Sequence, residues 1–188
     1  MKRAARIALL SAPTLAVAAL ATAWWLTTTR HDTAPYAGLD EREIKALAPE
    51  QVEGLRRGEG LGYALAAELN DVPGPKHALE LDLGLTDEQR GRVETVFERM
   101  NADARAMGEE LIAAERALDA ALAGRKATPD EISKLTAEAA TIEGRLRARH
   151  LVAHLETDPI LTPDQRAAYA AARGYAHTGH ANVHTHAH

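Results

Sequence analysis

His150 and His154 stand four residues apart in "RHLVAH". On a helix that spacing puts both imidazoles on one face, one turn apart, where they can ligate a single ion. Both flank a seam led by Leu146 and are expected to be half-exposed on an arginine-rich helix. A metal site needs more donors. Glu156, Glu68 in "AAELN" and His77 after "PGPK" are the candidates, provided that the preceding segment folds back onto the helix. A second cluster closes the chain in "HTGHANVHTHAH": His177, His180, His184, His186 and His188, five of nine histidines. In an extended chain His184, His186 and His188 share a side, and His177 and His180 can fold in. Neutral imidazole suits Zn, Ni, Co and Cu alike, so residue type does not choose the divalent transition metal. A loose ligand set loses conformational entropy on binding, which implies moderate affinity and poor selectivity. The plain alternative for both clusters is solvated surface histidine. Met100 and Met107 read as packing residues.

Other chemistry is excluded by inventory. The chain has no cysteine, so it has neither a thiolate ligand nor a thiol nucleophile. It has no G-x-S-x-G elbow or phosphate-binding glycine loop, and nothing marks a general base beside the histidine pair. The expectation is a non-enzyme. Lys2, Arg3, Arg6 and Arg30 precede the first acid, Asp32, leaving 18 bases against 27 acids in the rest of the chain. Such an acidic domain lacks the basic face that a nucleic-acid binder needs, so no nucleic-acid partner is expected.

These residues must be positioned by helices. Residues 1–30 hold three basic residues and then twenty uncharged ones, Ile7–Leu26, about 30 Å as a helix and enough to cross a membrane. The basic start predicts an N-in orientation, with Trp24 and Trp25 in the interfacial belt. Inner-membrane anchor and cleaved signal peptide (with "ATA" at Ala21–Ala23 as the cleavage site) both stand, and both deliver the remainder to the periplasm. Residues 31–40 read as a flexible linker, 41–175 as one helical domain, and 176–188 as a flexible tail. Within the domain, "DEREIKALAPEQVEGLRRG", "GLGYALAAELN" and "KHALELDL" read as short helical pieces, each too short to be stable alone. Thr86 and Gln89 form a capping box that starts a long helix. Its seam runs Val93, Phe97, Met100, Ala104, Met107, Leu111, Ala114, Leu118, Ala121, alternating four and three. A turn near Gly124 and a second box at Thr128–Glu131 start a return helix with Ile132, Leu135, Ala139, Ile142 and Leu146 on its seam. Thr162 and Gln165 cap a last helix that runs to Arg173 and stops at Gly174. The fold class is all-α: a long antiparallel hairpin with short flanking helices. Its small seam residues suggest that two hairpins share a dimer interface.

Two copies of Leu-Thr-x-x-Gln bracket the hairpin: Leu85, Thr86 and Gln89, then Leu161, Thr162 and Gln165. Together with the export signal and the stretch from Tyr36 to Leu81, they resemble the Spy/CpxP family of periplasmic stress proteins. The likeness is nearest to its heavy-metal sensor and zinc-resistance-associated (CnrX-like) branch, and covers roughly residues 34 to 175. The resemblance implies a bent hairpin that dimerises into a cradle. It also implies one of two roles: a metal sensor or buffer, or a holdase for unfolded envelope proteins working without ATP. In sensors, metal bound between helices alters contact with a membrane signalling partner. Sensor members draw ligands from the N-terminal segment and a hairpin histidine. Here that segment lacks a His-x-x-x-His pair and the helix lacks the methionine expected after its histidine, so the sensor site carries over only in part.

Overall fold

The computed structural model describes residues 35–175. The chain divides after Glu41 into two units. Of the first, the described part is a short turn of 3-10 helix at Leu39–Glu41. The rest concerns the second unit, which among the described residues holds six α-helices and no strand. They are α1 (Pro49–Arg57), α2 (Leu65–Glu68), α3 (Pro75–Glu80), α4 (Asp87–Ala123), α5 (Pro129–Thr157) and α6 (Pro163–Ala172), with a 3-10 turn at Asp158–Ile160 between the last two. None is long and apolar enough to cross a membrane. The expected spanning segment 7–26 lies outside the described residues.

The hairpin of α4 and α5 is the frame. At about 1.5 Å per residue the two helices are about 55 and 43 Å long. The seam packs as its spacing requires: Ala104, Leu111 and Ala114 are buried with Ala139, Ile142 and Leu146, and Val93 and Met100 with Ala153 nearer the open end. Toward the tip, Leu118, Ala121, Ile132 and Leu135 are only half-covered. The tip's left-handed residue is Arg125 (φ 53), while Gly124 stays helical, so the reversal falls one position beyond the glycine. Of the box expected at Thr128, the Thr128 hydroxyl accepts the Glu131 N–H at 3.2 Å.

The open end is tied by the two repeated motifs. Thr86 and Thr162 each accept the N–H of their own glutamine, Gln89 or Gln165, at 3.2 Å, and each glutamine's Oε1 accepts the threonine N–H in return. The same two side chains also meet. Gln89 Nε2 donates to Gln165 Oε1 at 2.8 Å, and Gln165 Nε2 to Gln89 Oε1 at 3.0 Å. Spare donors reach the carbonyls of Ile160 (2.8 Å) and Gly84 (3.2 Å). One pair of amides therefore caps two helices and staples the start of α4 to the start of α6.

The segment before the hairpin lies along it. Gly108 lets α1 approach α4 so closely that a Cβ there would stand 2.5 Å from the Leu55 carbonyl oxygen. Val52 and Leu55 are buried at this crossing. The end of α1 is held by Asn101, whose Nδ2 donates to the Arg57 carbonyl at 2.9 Å, while Gly58 turns left-handed (φ 70). Two expected helical pieces are shorter than their patterns suggest. Residues 42–47 form bends, not an α-helix. Burial of Ile44, and donation by the Lys45 N–H to Asp119 Oδ2 at 2.6 Å, fix that backbone by tertiary contact. "GLGYALAAELN" contracts to α2 because Leu61 and Gly62 both take positive φ.

Candidate metal centre

The core is in two parts. One is built around Leu55, Leu111, Ile112 and Leu146, the other around Ala78, Val93, Met100, Ala153 and Tyr169. His150 and His154 fall in α5 between Leu146 and Thr157, where the two parts meet. A cleft of about 630 Å³ opens beside them, lined among others by Gly60, Glu68, Gly74, His77, His150, His154 and Arg173. The segment before the hairpin does fold back, and it brings Glu68 and His77 to the wall facing the two imidazoles. The expected half-exposure of the pair is corrected: His150 is 3% exposed and His154 5%. The loop 58–62 and the turn before α3 cover them.

Each ring is oriented by its other nitrogen. His150 Nδ1 lies 3.0 Å from the Leu146 carbonyl oxygen, and His154 Nδ1 lies 2.7 Å from that of Val72. A carbonyl only accepts, so each Nδ1 carries a proton, and in the neutral ring Nε2 is the atom with the lone pair. His150 Nε2 is buried with no hydrogen-bond partner in the protein. His154 Nε2 looks toward Glu68 Oε1 at 4.0 Å. Burial lowers the His154 pKa below its ordinary value and outweighs the Val72 carbonyl and the Glu68 charge, which raise it. At neutral pH this contact is therefore a lone pair facing a carboxylate, an arrangement that a cation between them would relieve. A carbonyl that holds Nδ1 fixes the ring and aims Nε2, which is how imidazole ligands are oriented toward a metal.

Two glycines make room beside these nitrogens. A Cβ on Gly74 would stand 2.5 Å from His154 Nε2, and one on Gly60 would stand 3.9 Å from His150 Nε2. Glu68 is itself almost buried. Its Oε1 accepts from the Tyr169 hydroxyl at 2.7 Å, and its Oε2 lies 3.4 Å from Arg173 Nε. The Tyr169 oxygen also accepts the buried Gly74 N–H at 3.1 Å, and burial pushes the phenol pKa up. Gly60, Gly74, Tyr169 and Arg173 were not singled out in the sequence. The glycines in "GEGLG" and "PGPK" were the available signal.

The other candidates are placed differently. His77 is on the cleft's rim, one-third exposed, with Nδ1 turned to Glu80 at 3.1 Å. Glu156 is engaged by Arg99 at 2.8 Å and Arg149 at 3.5 Å. Among the described residues no three His or carboxylate side chains are drawn close enough to hold an ion by themselves. His177, His180, His184, His186 and His188 lie outside the described residues. Met100 is packed in the core, as its place in the seam requires.

A family described as heavy-metal resistance matches residues 61–168, more than half of the chain, spanning both glutamine motifs, the hairpin and the cleft residues Glu68, His77, His150 and His154. The chain belongs to that family. It is part of the Spy/CpxP-like group of helical metal-resistance proteins, as the paired motifs imply. Comparisons with curated proteins and with solved structures return no match.

Proposed function

We propose that this heavy-metal resistance protein binds a divalent transition metal, Zn, Ni, Co or Cu, in the cleft between α5 and the segment that precedes the hairpin. His150 and His154 ligate through Nε2, and Glu68, now facing His154 Nε2 across 4.0 Å, closes in to supply the carboxylate that completes the set. The observation that carries this reading is the orphaned Nε2 of His150, buried one helical turn from a second free Nε2 that faces a carboxylate. A neutral ring nitrogen left without a partner in the interior costs about 1–3 kcal/mol, which a ligand ion would recover. The protein works on the periplasmic side of the inner membrane, delivered by residues 1–30, as a sensor or buffer and not as an enzyme. The half-covered seam at the hairpin tip supports a homodimer. The histidine tail adds looser capacity.

The test is a Co(II) titration of the full chain. One variant replaces the five tail histidines by Asn; a second replaces His150 and His154 by Ala. Tight 1:1 binding that survives the first change and disappears with the second supports the reading. Binding lost with the tail alone sinks it. A second reading, an ATP-independent holdase, draws on Leu61, Leu65 and Leu69, which are 41%, 56% and 50% exposed on and beside α2. It predicts suppressed client aggregation in the presence of chelator, and loss of that suppression when all three are replaced by Ser.

A further inference from the structure

Glu68 has a resident cation. Its side chain is 10% exposed, and a carboxylate so placed requires a counter-charge. His154 Nε2 stands off at 4.0 Å from Oε1. Tyr169 supplies only a neutral hydroxyl. Arg173 Nε, 3.4 Å from Oε2, supplies the charge. That contact is long and 29% of the arginine side chain is exposed, so it can be exchanged without unfolding anything around it. The guanidinium is also tied outward: Nη2 donates to the Tyr175 hydroxyl at 3.3 Å, and the group sits 5.5 Å above the Tyr175 ring. Arg173 is the C-cap of α6, followed by left-handed Gly174 and by the Tyr175 N–H donating to the Ala170 carbonyl at 2.8 Å. Arg173, Gly174 and Tyr175 thus form a closing turn held to the cleft through one ion pair.

We infer that Arg173 is the cleft's built-in competitor cation: it occupies Glu68 until a divalent ion displaces it, and its release frees the end of α6. This rests on the metal site proposed above and adds its regulation. A divalent ion brings two charges where Arg173 has one, and it can also take the two imidazole lone pairs that a guanidinium, a pure donor, cannot use. Arg173 and the metal therefore exclude one another at Glu68, and the chain beyond Tyr175, with its five histidines, departs from the element that moves.

The experiment uses the full chain with its five tail histidines replaced by Asn, titrated with Co(II). In Arg173→Gln, affinity for Co(II) rises about tenfold, the size expected when a unit charge a few ångströms from a divalent ion is removed in a well-screened setting. Arg173→Lys, which keeps the charge, stays near the parent. Saturating Co(II) also speeds hydrogen exchange at residues 170–175 in the parent and leaves the hairpin unchanged. Unchanged or weaker binding by Arg173→Gln, or exchange unaffected by Co(II), overturns the inference. Circular dichroism and a cooperative melt confirm that both variants are folded. If the parent takes up no Co(II), or takes it up equally after loss of His150 and His154, the metal site itself is wrong and the inference falls with it.

Discussion

Replacing Gly74 by alanine isolates the space beside His154. The backbone there has φ −93 and ψ 153, open to any residue, so alanine adds no backbone strain. By stiffening the unfolded chain it would by itself stabilise by about 0.4–1 kcal/mol. Against this, the new Cβ would lie 2.5 Å from His154 Nε2 and 2.6 Å from Cε1, so ring or turn must move by about 1 Å to restore ordinary contact. Overpacking of that kind costs about 1–3 kcal/mol, leaving a net loss of about 1–2 kcal/mol and a melting point lower by a few degrees. The effect on metal should be larger. Displacing an oriented ligand, or breaking its bond to the Val72 carbonyl, weakens affinity about 10–100-fold. Gly60→Ala is the control: its Cβ would meet His150 Cδ2 at an ordinary 3.6 Å, so both melting and affinity should stay near those of the parent. Thermal unfolding in chelator and Co(II) titration read the two effects. A Gly74→Ala protein that melts and binds like the parent would falsify the geometry drawn around His154.

Other expectations follow from the same contacts. Gln89→Ala and Gln165→Ala should each cost about 1–2 kcal/mol in denaturant unfolding, and the double variant should lose less than the sum by about 0.5 kcal/mol or more, because each amide completes the other. Strict additivity would mean that the two motifs are independent caps. Tyr169→Phe strands the Gly74 N–H and one Glu68 oxygen, costing about 1–3 kcal/mol by the same assay; a neutral result would place water where the hydroxyl is. With metal removed by chelator, the lowered pKa of His154 makes folding acid-sensitive. Above about pH 6.5, its unfolded value, His154 contributes no penalty. As the pH falls from there to the lower folded value, the unfolded chain takes the proton first and stability declines. Glu68 opposes this shift, while His150 and His77 add to it. His154→Gln should flatten that part of the stability profile; an unchanged slope would mean that another group titrates there.

The hairpin was legible because its signals are local. Three-four spacing from Val93 to Ala121 and threonine–glutamine boxes act within a few residues of themselves. The meeting of Gln89 with Gln165 was not legible, since either box is satisfied alone and the pairing spans 76 positions. The burial of His150 and His154 depended on where residues 58–74 lie, and this is decided by Gly58, Gly108 and Asn101 at distant contacts. Periodicity failed at 42–47, where Ile44 turns into the core and Asp119 takes the Lys45 N–H, interactions stronger than a six-residue helical tendency. Glu68 and His77 line the same cleft as the pair because the segment that carries them folds back along the hairpin. Arg173 and Tyr169, which hold Glu68 from more than 100 positions away, had no signature in the sequence.

The most direct measurement is nitrogen NMR of histidine side chains in the full, tail-substituted chain, labelled at the imidazole nitrogens, before and after one equivalent of Zn(II). Before metal, His150 and His154 should both show Nδ1 as the protonated nitrogen of the neutral ring. After it, both Nε2 resonances should shift to metal-bound positions while Nδ1 stays protonated. Unmoved Nε2 signals at one equivalent, with zinc bound elsewhere or not at all, would contradict the cleft as the metal centre of this protein.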